Sequence, residues 1–314
     1  MFWFFSRNKN IKIEPYVRLK VGDRLYIIGR VLVDKRIDLE KPGLFSALKR
    51  FFLSMASAEL SNVEVQWSYS EDTGSVVTDR EGYFTISIFP LAAGIDYSRL
   101  RVKLNCRDTE SVFSISNYTG KEPYILISDI DDTVLKTEVT SIYGLKKYYN
   151  TAFKSPAQRE GVSKMAESMG SIHHSGMPIL YVSNAPRNLH ATYSYILDLL
   201  GFPDGPIFLR DIGRQMILDR NRVPEKLDTI RTIAELWPSS QFFLVGDSAE
   251  KDLTYYLSLY DEFPDRVRGI YIRVVEENKK SLEIIEVIEK RSEVNIQLFQ
   301  DAKSLSRMVL EITS

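Results

Sequence analysis

The sequence contains very little cysteine and histidine, and it has no excess of charge of either sign. Its 314 residues include one cysteine, Cys106, and three histidines. A single cysteine cannot form a disulfide within the chain or build a cysteine-based zinc site, and this scarcity favours a reducing compartment. Lysine and arginine total 41 against 42 acidic residues, a formal net charge of −1. Dedicated nucleic-acid binders neutralise many phosphates with basic side chains, so we do not expect a nucleic-acid partner.

The sequence also lacks an apolar run of membrane-spanning length at its start. The stretch from Met1 to Phe5 is apolar, but a bilayer span needs roughly 20 such residues. No signal-peptide cleavage pattern accompanies it. We therefore predict a cytoplasmic protein, with a peripheral contact at a membrane surface left open as an alternative to ordinary packing of this stretch.

A chain of 314 residues is longer than one hydrophobic core usually occupies, so we predict two domains. In residues 1–120, short runs alternate apolar and polar side chains and are separated by turn residues, which is typical of a small β-sandwich. Within this domain we expect Arg24 to Val33 to form one long strand, or two strands with a bulge at Gly29, and we expect a turn from Asp79 to Gly82. Residues 121–314 have a different periodicity and form the second predicted domain.

One segment of the first domain is predicted to be helical. Apolar side chains recur at helical spacing between residues 44 and 57, and two basic residues lie opposite them. Such an amphipathic helix can cover an open face of the sandwich, or it can lie on an anionic membrane surface. Both interpretations fit the pattern, and the first is preferred.

In the second domain, apolar strands alternate with helical stretches, the pattern of a parallel sheet built from βαβ units. Helices are predicted at residues 158–169, 189–200, 224–236, 251–260 and 281–290. The predicted strands are Tyr124 to Ser128, Pro178 to Ser183, Ile207 to Leu209, Phe242 to Gly246, Gly269 to Arg273 and Asn295 to Phe299.

Three of these strands end in polar residues. Asp129, Asp131 and Asp132 follow the first strand, Ser183 and Asn184 end the second, and Asp247 follows the fourth with Asp252 close behind. Because the carboxyl ends of parallel strands meet at one edge of the sheet, these side chains are expected to lie together where such folds bind ligands. Clustered carboxylates repel one another unless a cation intervenes, and their hard oxygens suit Mg²⁺. A carboxylate nucleophile, a second carboxylate, a hydroxyl donor and a lysine are the groups expected for phosphoryl transfer through an aspartyl-phosphate.

The motifs resemble those of a known superfamily. D-x-D-x-T at Asp129 to Thr133, the strand ending in Ser183, Lys226, and G-D-x-x-x-x-D at Gly246 to Asp252 are similar in content and order to the four motifs of the haloacid dehalogenase superfamily. More narrowly, S-D-I-D-D-T, Y-V-S-N-A-P, L-R-D, G-D-S and I-Y-I-R resemble the catalytic domain of phosphatidate phosphatases of the yeast actin-patch-associated type. The resemblance implies a Rossmann-like parallel sheet of the haloacid dehalogenase fold.

The resemblance also implies catalytic roles. Asp129 would attack phosphorus, and Asp131 would protonate the leaving group and then activate water. Lys226 would neutralise charge on the phosphoryl oxygens, and Asp252 would orient Lys226 or a water on the metal. Lys251 and Arg214 are alternative sources of the cation.

The implied Mg²⁺ ligands are the Asp129 side chain, the Asp131 backbone carbonyl and Asp247. Ser183, Asn184 and Thr133 would bind the substrate phosphate, and Thr133 would also steady the loop. Neither gap between the motifs is long enough for a globular cap domain, so the site is predicted to be uncapped.

An uncapped site suits large or interfacial substrates, because small metabolites usually need a lid to exclude water. The resulting hypothesis is a Mg²⁺-dependent phosphomonoester hydrolase of phosphatidate or a related phospholipid. Two alternatives stay open: a phosphatase of a nucleic-acid end or phosphoprotein, and a non-catalytic lipid-binding module.

Overall fold

The structure, a computed structural model, describes residues 11–33, 60–69, 72–91, 99–104, 110–136, 160–210, 225–249, 251–275 and 279–313. Their contacts form two compact units that divide between Thr119 and Gly120. The helix predicted at residues 44–57 lies outside the described residues. So do residues 137–159 and 211–224, which occupy the two gaps where a cap would be inserted, and the uncapped site therefore stays a prediction.

The described part of the amino-terminal unit consists of β-strands in two sheets that share one core. The strands are β1 (Ile11–Val21), β2 (Arg24–Val33), β3 (Glu64–Tyr69), β4 (Asp72–Val77), β5 (Tyr83–Ile88), β6 (Arg99–Leu104), β7 (Glu110–Ser114) and β8 (Ser116–Tyr118). One sheet has the order β5-β2-β1-β8 and the other β4-β3-β6-β7. Ile27 and Phe84 of the first sheet and Val65 of the second are buried in the same hydrophobic cluster. The predicted β-sandwich is confirmed.

Of the two alternatives for Arg24 to Val33, the single long strand is confirmed, and no bulge divides it at Gly29. Strand β2 continues through Gly29, and the register shift lies in the neighbouring strand β1, between Pro15 and Val17. A β-carbon at Gly29 would come within 2.4 Å of the Phe84 ring. A glycine inside a strand marks either a bulge or a close approach, and here the missing side chain makes room for Phe84.

The turn predicted from Asp79 to Gly82 is present, but it does not close a hairpin. Asp79 Oδ1 accepts hydrogen bonds from the amides of Glu81 at 2.9 Å and Tyr83 at 2.8 Å, and Gly82 has a φ of +79°. The strands on its two sides, β4 and β5, belong to different sheets. The turn is therefore a corner at which the chain passes from one sheet to the other.

The carboxyl-terminal unit is built on a six-stranded sheet. Its strands are β9 (Tyr124–Asp129), β12 (Ile179–Pro186), β13 (Ile207–Arg210), β14 (Gln241–Asp247), β15 (Val267–Arg273) and β16 (Ile296–Phe299). Their order is β13-β12-β9-β14-β15-β16, and each neighbouring pair is parallel. All six predicted strands and the predicted parallel α/β class are confirmed. Strand β9, which carries the first aspartate motif, lies between the strands that carry Ser183 and Asp247.

The described helices of this unit are α1 (Met165–His174), α2 (His190–Leu199), α3 (Glu225–Leu236), α4 (Asp252–Glu262), α5 (Lys279–Lys290) and α6 (Ala302–Thr313). The prediction of a helix from residue 158 is wrong at its beginning, and α6 had no predicted counterpart. The short strand β11 (Glu160–Gly161) pairs with β10 (Leu135–Lys136) instead. Helix α1 can begin only after this pairing has ended.

Burial explains why β9 is central. Ile125, Leu126 and Ile127 have no exposed surface, as expected for a parallel strand covered on both faces. Full burial of each such side chain contributes about 1.5–3 kcal/mol to folding. In the described ranges, no helix combines the length and apolar character required to cross a bilayer.

Candidate active site

The chain turns back on itself immediately after β9. The amide of Asp132 donates to the carbonyl of Leu135 at 2.8 Å, and the amide of Val134 donates to the carbonyl of Ile130 at 3.0 Å. Asp132 has a φ of +60°, a conformation that aspartate tolerates better than most residues. Asp129 and Asp131 are 1% and 5% exposed. The D-x-D loop is thus a tight, buried turn at the carboxyl end of the central strand.

A buried lysine joins two of the predicted carboxylates. Lys226 is the second residue of α3, and its side chain is fully buried. Its Nζ donates a hydrogen bond to Asp129 Oδ1 at 2.6 Å and another to Asp252 Oδ1. A buried ammonium is costly unless it is paired and hydrogen-bonded, and these two carboxylates meet that requirement. Of the alternative cations, Lys251 is exposed and Arg214 lies outside the described residues.

Asp252 is held in place by the end of β14 as well as by Lys226. Its Oδ2 accepts a hydrogen bond from the amide of Asp247 at 3.2 Å. A β-carbon at Gly246 would lie 2.5 Å from the same Oδ2 and 2.6 Å from Asp252 Cβ, so only glycine leaves enough room. Tyr256, one turn later in α4, is fully buried and donates to the carbonyl of Val245 at 2.8 Å. Burial, aided by the nearby charge of Asp252, raises the pKa of Tyr256 well above its usual value.

Three buried carboxylates form a cluster that suits a hard cation. Asp129, Asp247 and Asp252 each offer an oxygen atom, and these atoms lie within 4.8 Å of one another. Asp247 Oδ1 also accepts the amide of Ala249 at 2.5 Å. One lysine cannot neutralise three carboxylates, and Mg²⁺ is typically held by one or two carboxylates together with water and phosphate oxygens. The donor set therefore fits the predicted ion. Asp131, predicted to contribute a backbone carbonyl, has no side-chain oxygen in the cluster.

The second carboxylate of the motif has different partners. Ser183 Oγ donates to Asp131 Oδ2 at 2.8 Å and accepts the amide of Ala185 at 3.0 Å. Tyr193 OH lies 3.0 Å from both Oδ1 and Oδ2 of Asp131. All three side chains are buried. Asp129 thus contacts an ammonium group, whereas Asp131, two residues later, contacts two hydroxyl groups.

An arginine from the next-but-one strand supports the same loop. Arg273, at the end of β15, donates from Nε to the carbonyl of Asp132 at 2.7 Å, and it is in register with Asp247 of β14. Burial lowers the pKa of Arg273, while the charges of Asp132 and Asp247 act in the opposite direction. The guanidinium group thereby brings a positive charge to the acidic edge of the sheet.

The remaining predicted residues lie at the same edge. Thr133 is fully buried, and its Oγ1 makes no hydrogen bond to any residue of the described ranges. Asn184 follows Ser183 within β12 and is partly buried. The end of β9 with the loop after it, the ends of β12 and β14, and the first turns of α3 and α4 therefore bring the eight predicted residues to one edge of the sheet.

Two residues of the site were missed by the sequence interpretation. Tyr193 looked like an ordinary core residue of a helix, since its neighbours Ile196 and Leu197 are apolar. A buried tyrosine hydroxyl usually has a hydrogen-bond partner, but the sequence does not identify Asp131, 62 positions away, as that partner. Arg273 closes the I-Y-I-R motif, and no role could be given to it before its contact with Asp132 was visible.

Comparison with known proteins supports the predicted resemblance. Residues 124–274 match the family model of the catalytic domain of phosphatidate phosphatase APP1. The matched segment begins at the first residue of β9 and ends one residue after β15. It includes every residue of the site described above.

Two curated relatives match a larger part of the chain. Phosphatidate phosphatase APP1 of Saccharomyces cerevisiae is 30% identical over 165 residues, which cover 50% of this chain and 27% of that protein. An uncharacterised protein of Schizosaccharomyces pombe is 28% identical over 213 residues, covering 64% of this chain and 34% of that protein. The chain therefore spans about a third or less of the length of these relatives.

Solved structures are more distant. The class C acid phosphatase of Bacillus anthracis has a TM-score of 0.34 at 13% identity, with 62% of this chain and 73% of that chain covered. Cytosolic 5'-nucleotidase IIIB bound to cytidine has a TM-score of 0.37 at 10% identity, with 61% and 85% covered. The functional resemblance comes instead from the family match, which coincides with the buried carboxylate site: residues 124–274 resemble the catalytic domain of phosphatidate phosphatase APP1.

Proposed function

We propose that the chain is a Mg²⁺-dependent phosphatase that hydrolyses phosphomonoesters through an aspartyl-phosphate. The observation that carries the proposal is that the two motif carboxylates have different hydrogen-bond partners. Asp129 is hydrogen-bonded to Lys226, whose charge favours an ionised carboxylate, and Asp131 is hydrogen-bonded to Ser183 and Tyr193. A nucleophile must be ionised and a general acid must carry a proton, so the two roles require different surroundings.

In the first half of the reaction, an oxygen of Asp129 forms a bond to phosphorus as the bond between phosphorus and the ester oxygen breaks. Asp131 gives its proton to that ester oxygen, which leaves as an alcohol. Lys226 remains protonated and offsets the negative charge that spreads over the phosphoryl oxygens.

In the second half, water attacks the phosphorus atom of the aspartyl-phosphate. Its proton passes to Asp131, the bond from phosphorus to Asp129 breaks, and inorganic phosphate is released. Both carboxyl groups return to their starting states, so the cycle consumes one ester and one water.

The Asp129 carboxylate, the Asp131 carbonyl and the Asp247 carboxylate would hold Mg²⁺. When bound, the ion supplies positive charge that polarises the phosphoryl group. Asp252 fixes Lys226 next to Asp129, and Thr133, Ser183 and Asn184 are the proposed contacts for the phosphate. We propose phosphatidate or a related phospholipid as substrate, because the family is named for that activity and its Saccharomyces cerevisiae member carries the same name.

The first experiment measures phosphate release by the full chain with and without Mg²⁺. Wild type should turn over only with the ion, and Asp129→Asn should lose activity by about 10³-fold or more, since a removed nucleophile is not replaced by its neighbours. Asp198→Asn, an exposed change in α2, is the matched control and should retain full activity. Equal rates for wild type and Asp129→Asn would overturn the nucleophile assignment.

A substrate panel tests the lipid assignment. Phosphatidate in vesicles, glycerol phosphate, a phosphorylated oligonucleotide and a phosphopeptide are compared at equal phosphate concentration. We expect the highest kcat/KM with phosphatidate. If the oligonucleotide or the phosphopeptide is hydrolysed efficiently and phosphatidate is not, the lipid assignment is wrong and that substrate replaces it. Tight binding to vesicles without release of phosphate from any substrate would indicate a lipid-binding module.

A further inference from the structure

We propose that Tyr193 is a positioning residue for Asp131, and that its hydroxyl keeps the Asp131 carboxyl group aimed at the leaving-group oxygen in both halves of the reaction. The proposal rests on the proposed function and deepens it. It predicts that the contribution of Tyr193 depends on the chemistry of the leaving group, which a residue with a purely structural role would not show.

The geometry of the contact is the first argument. Tyr193 OH lies 3.0 Å from Oδ1 and 3.0 Å from Oδ2 of Asp131. One hydroxyl proton can serve one oxygen at a time, so an equidistant hydroxyl can bond whichever oxygen carries no proton. Asp131 must alternate between the acid and the carboxylate during turnover. Tyr193 therefore keeps a hydrogen bond to Asp131 in both states.

The second argument is that the hydroxyl groups of the other buried tyrosines in the carboxyl-terminal unit donate to backbone carbonyls. Tyr181 OH donates to the carbonyl of Pro203 at 3.0 Å, and Tyr256 OH donates to the carbonyl of Val245 at 2.8 Å. A carbonyl is enough to satisfy a buried hydroxyl group. Tyr193 contacts a catalytic carboxylate instead, which is a contact that folding alone does not require.

The third argument is the rigidity of both hydroxyl donors. Tyr193 belongs to a core cluster that includes Leu189 and Ile196, and it is 1% exposed. Ser183 accepts the amide of Ala185 at 3.0 Å, which directs its own proton toward Asp131 Oδ2. Two donors from two elements thus restrict rotation of the Asp131 carboxyl group, and positioning of this kind lowers the barrier to proton transfer.

The chemical consequence concerns the leaving oxygen. When an alkyl phosphate reacts, the departing alkoxide is strongly basic and needs the Asp131 proton as the bond to phosphorus breaks. A nitrophenolate is weakly basic and can depart without that proton. Tyr193 keeps its own proton throughout, so it changes only the efficiency with which Asp131 delivers one.

The test compares Tyr193→Phe with wild type on glycerol phosphate and on nitrophenyl phosphate, with the full chain and saturating Mg²⁺. The parameter is kcat/KM, because it reports the steps up to formation of the aspartyl-phosphate, in which the leaving group departs. General acid catalysis contributes about 10²–10⁴-fold. We expect the alkyl ester to lose about 10- to 100-fold and the aryl ester less than about 3-fold, as part of that contribution.

Tyr181→Phe is the matched control, since it also removes a buried hydroxyl group but one that is bonded to a backbone carbonyl. It should affect both esters equally. Ser183→Ala should lower kcat/KM for both esters, because Ser183 is also a proposed phosphate contact, and the loss should be larger for the alkyl ester. In the Asp131→Asn background, Tyr193→Phe should cause no further loss on the alkyl ester, because residues that act through one another are not additive.

The outcomes separate the two proposals. Equal losses on both esters in Tyr193→Phe, or full additivity with Asp131→Asn, would overturn the positioning role while leaving the phosphatase intact. If wild type hydrolyses neither ester and does not hydrolyse phosphatidate, the proposed function fails and the role of Tyr193 fails with it.

Discussion

Lys226 is the single residue on which the charge balance of the site most depends. It is fully buried between Asp129 and Asp252, which are themselves buried. Removing one member of a buried ion pair leaves an uncompensated charge in a poorly solvated place. The stability of this unit and the chemistry of its site are therefore linked through one side chain.

Replacing this lysine should destabilise the protein as well as inactivate it. Lys226→Met leaves the buried carboxylates without their cation, and we expect a loss of about 3–5 kcal/mol in the free energy of unfolding, measured by urea titration without Mg²⁺. Lys164→Met is the control, since it removes only an exposed ion pair with Glu167 and should leave the midpoint unchanged. Identical urea midpoints for the two variants would contradict the role of Lys226 in stabilising the buried carboxylates.

The tight contact at Gly246 leads to a second prediction at this scale. In Gly246→Ala the new β-carbon would overlap Asp252, so Asp252 must move and its hydrogen bond to Lys226 must weaken. We expect a fall in kcat of about 10-fold or more, given how strongly small displacements of catalytic groups affect rate. The fall in kcat is measured as the rate of phosphate release by the purified variant at saturating substrate.

The matched control is Gly170→Ala in α1, where nothing lies within 4 Å of the new β-carbon. Alanine is preferred to glycine inside a helix by about 0.5–1 kcal/mol, so this variant should be fully active and slightly more stable. If Gly246→Ala were as active as Gly170→Ala, Asp252 would not need its present position.

At the scale of elements, the site depends on strands that are not neighbours. Arg273 leaves β15 and reaches the loop after β9, past the intervening strand β14. Its Nε donates to the carbonyl of Asp132, the residue with positive φ in that loop. The arginine therefore acts as a brace that holds the loop in its tight conformation.

Removing the brace should loosen the loop without unfolding the sheet. Hydrogen bonds from charged donors contribute about 1.5–3 kcal/mol, and Arg273→Met loses one to Asp132. We expect faster amide hydrogen exchange at Asp132, Val134 and Leu135, together with lower kcat/KM. Arg268→Met, an exposed change in the same strand, is the control. Unchanged exchange in Arg273→Met would show that the loop is held by its own backbone bonds.

Helices and strands could be predicted where local periodicity determines them. They could not be predicted where pairing between distant segments determines them. The six parallel strands could be identified because short runs rich in β-branched and aromatic residues alternate with longer helical patterns. The beginning of α1 could not, because Glu160–Gly161 pairs with Leu135–Lys136 across about 25 positions of chain. Likewise, the turn at Asp79 to Gly82 was visible in the sequence, but the assignment of β4 and β5 to different sheets depends on how the whole sandwich packs.

At the scale of the whole molecule, charge is balanced overall and unbalanced at the site. The formal net charge is −1, yet Asp129, Asp247 and Asp252 bring three buried carboxylates together around one lysine. Repulsion among like charges opposes folding, and a bound cation would relieve it. Global stability should therefore depend on Mg²⁺.

We expect Mg²⁺ to raise the thermal midpoint of wild type in proportion to the logarithm of its concentration. A ligand at about 100 times its Kd stabilises a protein by about 2.7 kcal/mol. Asp247→Asn should abolish the shift, and it should melt at the same or a higher temperature than wild type without the ion, since one repulsive charge has been removed. Asp198→Asn should respond like wild type. An equal shift in wild type and Asp247→Asn would place the ion elsewhere.

The sequence predicted which residues lie together at the site, but it did not predict most of the hydrogen bonds between them. Asp129, Ser183 and Asp247 could be placed at one edge because parallel strands impose that geometry, and the resemblance to the known motifs added Lys226. The resemblance offered a contact of Asp252 with Lys226 as one of two alternatives. The hydroxyl donors to Asp131 depend on side-chain packing between elements far apart in sequence. Such contacts leave no local periodic signal.

Strand β9 lies at the centre of the sheet, with hydrogen-bonded strands on both sides and no exposed surface at Ile125 to Ile127. Strands in this position open only when the domain unfolds globally, whereas edges and chain ends open locally at little cost. Asp129, the proposed nucleophile, is the last residue of that strand. Local opening elsewhere should leave it in place, so during heating the residual phosphatase activity would serve as a count of the molecules that are still folded.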